Sequence, residues 1–398
     1  MGFREFEAGG GAMLPGVGRA DEPVGLRWSD PATWSGRPPG RNDVVHVPSG
    51  RSLLIDQDVE VAALLLHGSA TVAARDLNIR TAGILAAKGG SLRVGEADRP
   101  FQHRLTVTLC SSPKVESVVG VGGKFLVAAE GGSIEINGAK RVGWSILADT
   151  VFPGGVLLKL TEAIDWRVGE TLVIASGGSD LPLVEERVVV AIAGDRMRVT
   201  LDRPLKHRHL GRNAPVMGAL PGTIGKVALL SRDIVIEGDP TSEPSSSGAY
   251  CLVAPQVEET ATAAPQPSAA RFSGVEFRRM GQFNRPGRFP LFWNGNGKSE
   301  QSAMVNCVVH QSYQRGVVVS GSTGVRLHGN VVYRPLGHGF IVDQPDEGAA
   351  LVTTNLVIRP RVVRYADPAM RAMCEHRPRA VWFALATRPR TVGLGVAR

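Results

Sequence analysis

Four residues able to move a proton stand in short motifs of the second half of the chain: Glu276 in GVEF, His310 in VVHQ, and His338 with Asp343 in GHGFIVD. A carboxylate pair, or a carboxylate with a histidine, is the equipment for cleaving a glycosidic bond. One group protonates the leaving oxygen and the other attacks or activates water. Each residue also has a plainer assignment. His338 suits a corner bonded to backbone, Asp343 in VDQPDEG suits turn initiation, and Glu276 suits an outward strand position. The stretch GRFPLFWNGN, residues 287–296, holds no such group. Its alternation sends Phe289, Leu291 and Trp293 inward and leaves Phe292 outward beside Asn294 and Asn296. An aromatic face with amides and Arg288 nearby is the make-up of a sugar-binding wall.

Other motifs carry less. VGVGGK at 119–124 lacks phosphate-loop spacing, because Phe125 stands where a metal-binding hydroxyl is needed. HRH at 207–209 has no convincing third ligand and reads as a surface loop. Cys110, Cys251, Cys307 and Cys374 are widely spaced, which excludes a CxxC zinc site and a disulfide-built scaffold but leaves one bridge open.

These groups need a scaffold, and the pattern is that of an all-β chain. Short Val, Ile and Leu runs alternate with Gly, Asn, Asp and Pro among 398 residues that include 48 glycines. GGSLRVG at 89–95 and GGSIEING at 131–138 echo one another. Asn306, Asn330 and Asn355 recur 24 and 25 residues apart, with Gly316 and Gly339 23 apart. Such a period predicts a solenoid of β coils with an asparagine ladder at one corner. Residues 1–25 read as a flexible lead, 26–150 as a β module, 151–239 as a β-rich approach, 240–270 as a flexible loop, and 271–360 as coils. Residues 361–398 read as a basic tail that has left the coil register: disordered, a cap, or the product of a reading-frame error.

The net charge is +8, and the tail's eight arginines against one aspartate and one glutamate supply six of it. Charge confined to one terminus argues against nucleic acid as a partner. No run of about 20 apolar residues exists, so no membrane-spanning helix is expected. The first residues lack the apolar core of a secretory signal, so either the start is incomplete or misassigned, or the protein is not exported by the usual route.

The motifs WSDPATWSG at 28–36, DVVHVPSG at 43–50, the two Gly-Gly-Ser strands and DWRVGETLVIAS at 165–176 resemble the G8 domain, an extracellular β-rich module. VALLSRDIVIEGD, GVEFRRMGQ, GRFPLF, HQSYQRGVVVSGSTG and NVVYRPLGHGFIVD resemble the right-handed parallel β-helix of the hyaluronan-binding and cell-surface hyaluronidase proteins. The resemblance implies a G8 module continuous with a β-helix, an extracellular or cell-surface location, and a polysaccharide partner such as hyaluronan or another acidic glycan. It marks Arg288, Pro290, His310, Arg315, His338 and Asp343 as kept. Where those relatives read Gly-Arg-Tyr-Pro-Ile-His-Phe-His, Phe292 and Asn294 replace both histidines. Gln311 and Ser320 stand at further histidine positions, and Gln344 follows Asp343 where an adjacent Glu-Asp is usual. The expected function is therefore glycan binding with weak or absent hydrolysis through Arg288, Phe292, Asn294, Asn296, His310 and Arg315. The alternatives are an active hyaluronan-type hydrolase using His338, Asp343 and Glu276, or a structural spacer. No cofactor is implied with certainty, and a calcium requirement stays open.

Overall fold

The computed structural model describes residues 25–112, 115, 122–176, 183–214, 224–256, 266–343 and 351–362, and the backbone of the strands Val381–Ala384 and Gly393–Ala397. The chain winds through three parallel faces. The first face runs from Val44–Val47 through Phe125–Ala128, Tyr250–Val253, Leu291–Lys298 and Val317–Thr323 to Phe340–Asp343 and Val381–Ala384. The second begins at Gly25–Arg27 and includes Ser91–Val94, Ser133–Asn137 and Arg326–His328. The third includes Leu105–Leu109, Ile234–Gly238, Val275–Arg278, Val308–His310 and Val331–Tyr333. The strand Leu351–Ile358 turns the corner between the second and third faces, pairing with both.

Period-two alternation explains the interior. Leu53 and Ile55, Ile134 and Ile136, Ile234 and Ile236, and Leu291 and Trp293 all point inward and share one apolar core. Trp28 and Trp34 join it at the first rung, rings 5.0 Å apart. The Gly-Gly echo is a stacking device. Gly89 and Gly131 take φ of 78° and 76°. A Cβ on Gly90 or Gly132 would lie 2.0 or 2.1 Å from a carbonyl of the preceding rung. Ser91 pairs with Ser133 in the parallel register that follows.

The asparagine repeat is subtler than its spacing. Pairing of Val308 with Val331, and of Val331 with Leu356, aligns Cys307, Asn330 and Asn355. Asn330 and Asn355 form the ladder: the Asn330 backbone N–H and Nδ2 both donate to Asn355 Oδ1 at 2.9 Å. Asn306 falls one residue out of line. Its φ of 51° places it with Gly274, Gly329 and Thr354, all at positive φ, where a short polar side chain tolerates the left-handed turn.

Three expectations need correcting. The first half of the 240–270 loop is ordered coil: a helical turn Ser242–Ser245 and the strand Tyr250–Val253, whose apolar run outweighs its Pro/Ser-rich flanks. Residues 257–265 lie outside the described residues. Within the 361–398 tail, Val381–Ala384 and Gly393–Ala397 keep the register, pairing in parallel with Phe340–Asp343 and Leu351–Ile358. Short apolar stretches between Arg-Pro pairs suffice for another rung. Third, residues from Trp144 to Leu229 leave the coils as a six-stranded antiparallel sheet with its own core around Trp166 and Leu229. They depart after a second-face strand and return to a third-face strand. Cys110, Cys251 and Cys307 are free thiols. No helix among the described residues is long and apolar enough to cross a membrane.

Candidate functional site

The outer side of the third face carries two rows. Glu276, Val308, Val331 and Leu356 form one; Arg278, His310, Tyr333 and Ile358 form the other. The inserted sheet lays Val173, Ala175, Ala228 and Leu230 over their apolar part. Beside this packing lies a cavity of about 440 Å³. The solenoid lines it with Glu276, Arg278, His310, Tyr313, Tyr333 and Arg334, and the insertion supplies Glu186.

The site's polar groups are held in place. His310 Nε2 lies 2.9 Å from Glu276 Oε1, and the Arg232 backbone N–H donates to Glu276 Oε2 at 3.0 Å. Burial alone would raise the Glu276 pKa; the His310 hydrogen bond, with Arg278 and the Arg232 N–H, outweighs it and holds the carboxyl below its ordinary range. Glu276 is thus an anion at neutral pH and has no proton to give a leaving group. The Tyr333 hydroxyl donates to Glu186 Oε1 at 2.7 Å, bridging solenoid and insertion. Burial, then that carboxylate, pushes its phenol pKa upward, so it remains a donor.

One residue beyond these rows the chain turns through Arg279, Gln311, Arg334 and Arg359, each with φ between 49° and 52°. Their register stacks them on successive rungs, about 4.8 Å apart. Arg361 reaches across, donating to the Arg334 and Ser312 carbonyls at 3.1 and 2.7 Å. The arginines of VYRPLG and VIRPR, Arg334 and Arg359, stand 25 residues apart, near the asparagine period, whereas Arg279 of FRRMG lies 55 residues before Arg334 and its place at their shared corner required the register.

Only Glu276 and His310 of the predicted residues meet here. His338, 1% exposed, sits in the corner before Phe340–Asp343. Asp343 lies exposed at that strand's far end, accepting from Ser320 Oγ at 3.3 Å. The strand Phe340–Asp343 runs between them, its ends roughly 10 Å apart. Glu276 faces out from a different side of the solenoid. The three candidate catalytic groups do not form one site.

Phe292 points outward but is covered, packing with Phe289, Val318 and Ile341. Phe289 meets it edge to face at 5.0 Å rather than entering the coil, because Pro290 breaks the alternation before the strand starts. A register shift between Asn294 and Gly297 turns Asn296 inward, where it accepts from the Ser268 N–H at 2.8 Å and donates to the Ser268 carbonyl at 2.6 Å. Asn294 remains exposed, in line with Ser320 and Asp343. Arg288 stacks over Tyr250 at 4.3 Å, and the buried Arg315 guanidinium lies 5.5 Å from the Phe289 ring centre. As for calcium, no group of three or more His, Cys, Asp or Glu among the described residues is arranged to hold a metal.

HRH is not a surface loop throughout, since His209 is fully buried. Its Nδ1 lies 2.9 Å from Ser176 Oγ and its Nε2 3.1 Å from Glu185. Burial lowers the His209 pKa despite that carboxylate, so the neutral ring donates from Nε2 and accepts at Nδ1. Burial would raise Glu185, but the Lys206 N–H, His209, the His207 N–H and Arg187 hold it down to about 2. Because the folded pKa is depressed from 4.5, this carboxylate stabilises the fold above pH 4.5. The contribution, about 3 kcal/mol, is expected to vanish as pH falls towards 2. Urea melts of wild type and Glu185→Gln from pH 7 to 2 check this: the two curves should converge at the acid end.

Comparisons with known proteins agree with this architecture. The G8 domain family profile matches residues 33–148, and the CEMIP beta-helix profile matches 261–389. Fibrocystin-L of Mus musculus is 29% identical over 370 residues, covering 83% of this chain and 9% of that protein. Protein rliB of Dictyostelium discoideum is 24% identical over 343 residues, covering 83% of this chain and 29% of its own. The chain therefore spans less than a tenth of the fibrocystin-L it matches. The tailspike protein gp49 of Pseudomonas phage LKA1 is 12% identical, covering 78% of this chain and 41% of that one, at a TM-score of 0.20 that carries no further argument. Three parallel faces and the Gly-Gly rungs agree with both profile matches: the chain carries a G8 domain at 33–148 and a CEMIP-type β-helix at 261–389.

Proposed function

We propose that this chain binds an acidic polysaccharide, hyaluronan or a relative of it, in the cleft between the third face and the inserted sheet, and does not hydrolyse it. The observation that carries the reading is the lining of that cleft. Arg334 and Arg361 supply cationic donors, Tyr313 and Tyr333 supply aromatic surface, and His310 is fixed by Glu276; Arg278 is already paired with Glu237 and Glu276, and Glu186 and Glu243 also line the cavity. Arginine pairs with sugar carboxylates and tyrosine rings stack on sugar C–H faces. The extracellular or cell-surface setting belongs to the same proposal. Against hydrolysis stand Glu276, ionised and so unable to act as the general acid, and the placement of His338 and Asp343 at the first-face strand Phe340–Asp343, away from the cleft. The wall first expected at 287–296 contributes little, because Phe292 and Asn296 are covered.

The test incubates the protein with high-molecular-weight hyaluronan, with and without calcium, and follows polymer length and co-elution by size exclusion. Co-elution without shortening is expected. Arg334→Ala should weaken binding roughly tenfold, the loss of about one charge-assisted contact. Arg288→Ala, which removes a cation stacked on Tyr250, should leave affinity unchanged. Shortened polymer would overturn the non-hydrolytic reading. Absence of co-elution would overturn the binding one.

A further inference from the structure

The connections of the inserted sheet carry a surface that the glycan reading does not use, built around the HRH motif. Residues 203–214, RPLKHRHLGRNA, hold four permanent cations, Arg203, Lys206, Arg208 and Arg212, and no acid. All four are exposed, as is His207. Val151 and His209 exchange backbone hydrogen bonds at 2.9 Å in each direction, an antiparallel pairing that places Phe152 beside Arg208. Phe152 opens a turn in which the Gly155 N–H donates to its carbonyl at 3.0 Å, and the chain then enters the strand Leu157–Lys159. Phe152, Val156 and Leu157 are 62%, 37% and 51% exposed. We propose that this turn and the basic loop beside it form a peripheral docking surface for a membrane rich in anionic phospholipids.

Two features point to one occupant. Single exposed apolar side chains are ordinary, but these three fall within six residues and lie against a loop of four cations. Anionic headgroups attract the arginines and the lysine, and the acyl boundary just beneath takes up phenylalanine, valine and leucine. A sulfated polysaccharide would pair with the cations and leave all three apolar side chains in water.

The loop is also held ready. Glu185 accepts from the Lys206 and His207 N–H groups at 2.9 and 3.0 Å, and Arg187 donates to the Arg203 and Pro204 carbonyls at 3.2 and 2.7 Å. These bonds and the buried His209 fix the backbone while the cations point to solvent, so docking orders side chains alone. Asp202 lies 3.8 Å from Arg203, and Asp149 is held by Lys159 at 3.1 Å and by Asn213 at 3.2 Å. Among the described residues no carboxylate pairs with Lys206, Arg208 or Arg212. None of these residues lines the glycan cleft.

The experiment sediments the protein with vesicles of phosphatidylcholine alone and with vesicles containing about 30% phosphatidylserine, at about 0.1 M salt. Wild type should pellet with the anionic vesicles only. Arg208→Ala should weaken binding roughly fivefold and Phe152→Ser roughly tenfold. Phe152→Trp should gain blue-shifted emission over wild type when anionic vesicles are added. Circular dichroism checks folding, and Leu157→Ser replaces Phe152→Ser if that variant fails to fold. Failure of wild type to pellet overturns the proposal, and heparin capture in that case would assign the cations to a sulfated polysaccharide. Unchanged binding by the serine variant, or unshifted emission from Phe152→Trp, overturns it as well, because charge attraction alone would then account for the pelleting.

Discussion

Asn330→Leu is expected to destabilise the protein by about 3–4 kcal/mol, while Asn306→Gly should change stability by less than about 1 kcal/mol. In sequence the two asparagines open matching repeats. In the structure Asn330 is fully buried and its side chain closes three contacts. Oδ1 accepts from the Cys307 N–H at 2.9 Å, and Nδ2 donates to the Met304 carbonyl at 2.8 Å and to Asn355 Oδ1 at 2.9 Å. Leucine fills the volume but strands a buried N–H and a buried carbonyl, each costing about 1–3 kcal/mol. Asn306 stands at a left-handed corner position that glycine adopts freely. Chemical denaturation of both variants separates the cases. Equal losses would mean that the register drawn between Val308, Val331 and Leu356 is wrong.

Asp239→Ala is expected to cost about 3–5 kcal/mol, because it leaves a buried ammonium without its counter-charge. Lys124 Nζ is 2.8 Å from Asp239 Oδ1, and their side chains are 2% and 8% exposed. The same nitrogen donates to Thr241 Oγ1 at 3.2 Å, Ser242 Oγ at 2.8 Å and the Ser247 carbonyl at 3.0 Å. This cluster ties the rung that starts at Phe125 to the helical turn Ser242–Ser245, which the inserted sheet separates from it in sequence. Burial would raise the Asp239 pKa, but Lys124 and Thr241 hold it below its ordinary value. Its contribution is therefore present above the usual carboxylate range and lost as pH falls through the depressed folded pKa. The double variant Lys124→Met/Asp239→Leu should recover most of the loss, since apolar pairs replace buried ion pairs well. A double variant as unstable as Asp239→Ala would show that the serine and threonine contacts, not the charge pair, carry the energy.

The sequence by itself determined the strand-rich class and the solenoid, because these rest on local causes. Alternation at period two places a side chain inward or outward, and the Gly-Gly pairs of 89–90 and 131–132 follow from a close approach that only glycine permits. It also placed Leu291 and Trp293 in the core. The tertiary structure decided everything that depends on which rung lies beside which. A shift of one residue separates Asn306 from Asn330, and a local irregularity turns Asn296 inward. Apolar runs such as Tyr250–Val253 were hidden by their neighbours' composition, though not from the core.

The cleft is the clearest case. Glu186 lies 147 residues from Tyr333, on a sheet that departs from the coils and folds back, and no spacing in the chain encodes their hydrogen bond. Periodicity tells a residue which way to face; only the packing of the insertion against the third face tells it what it meets there.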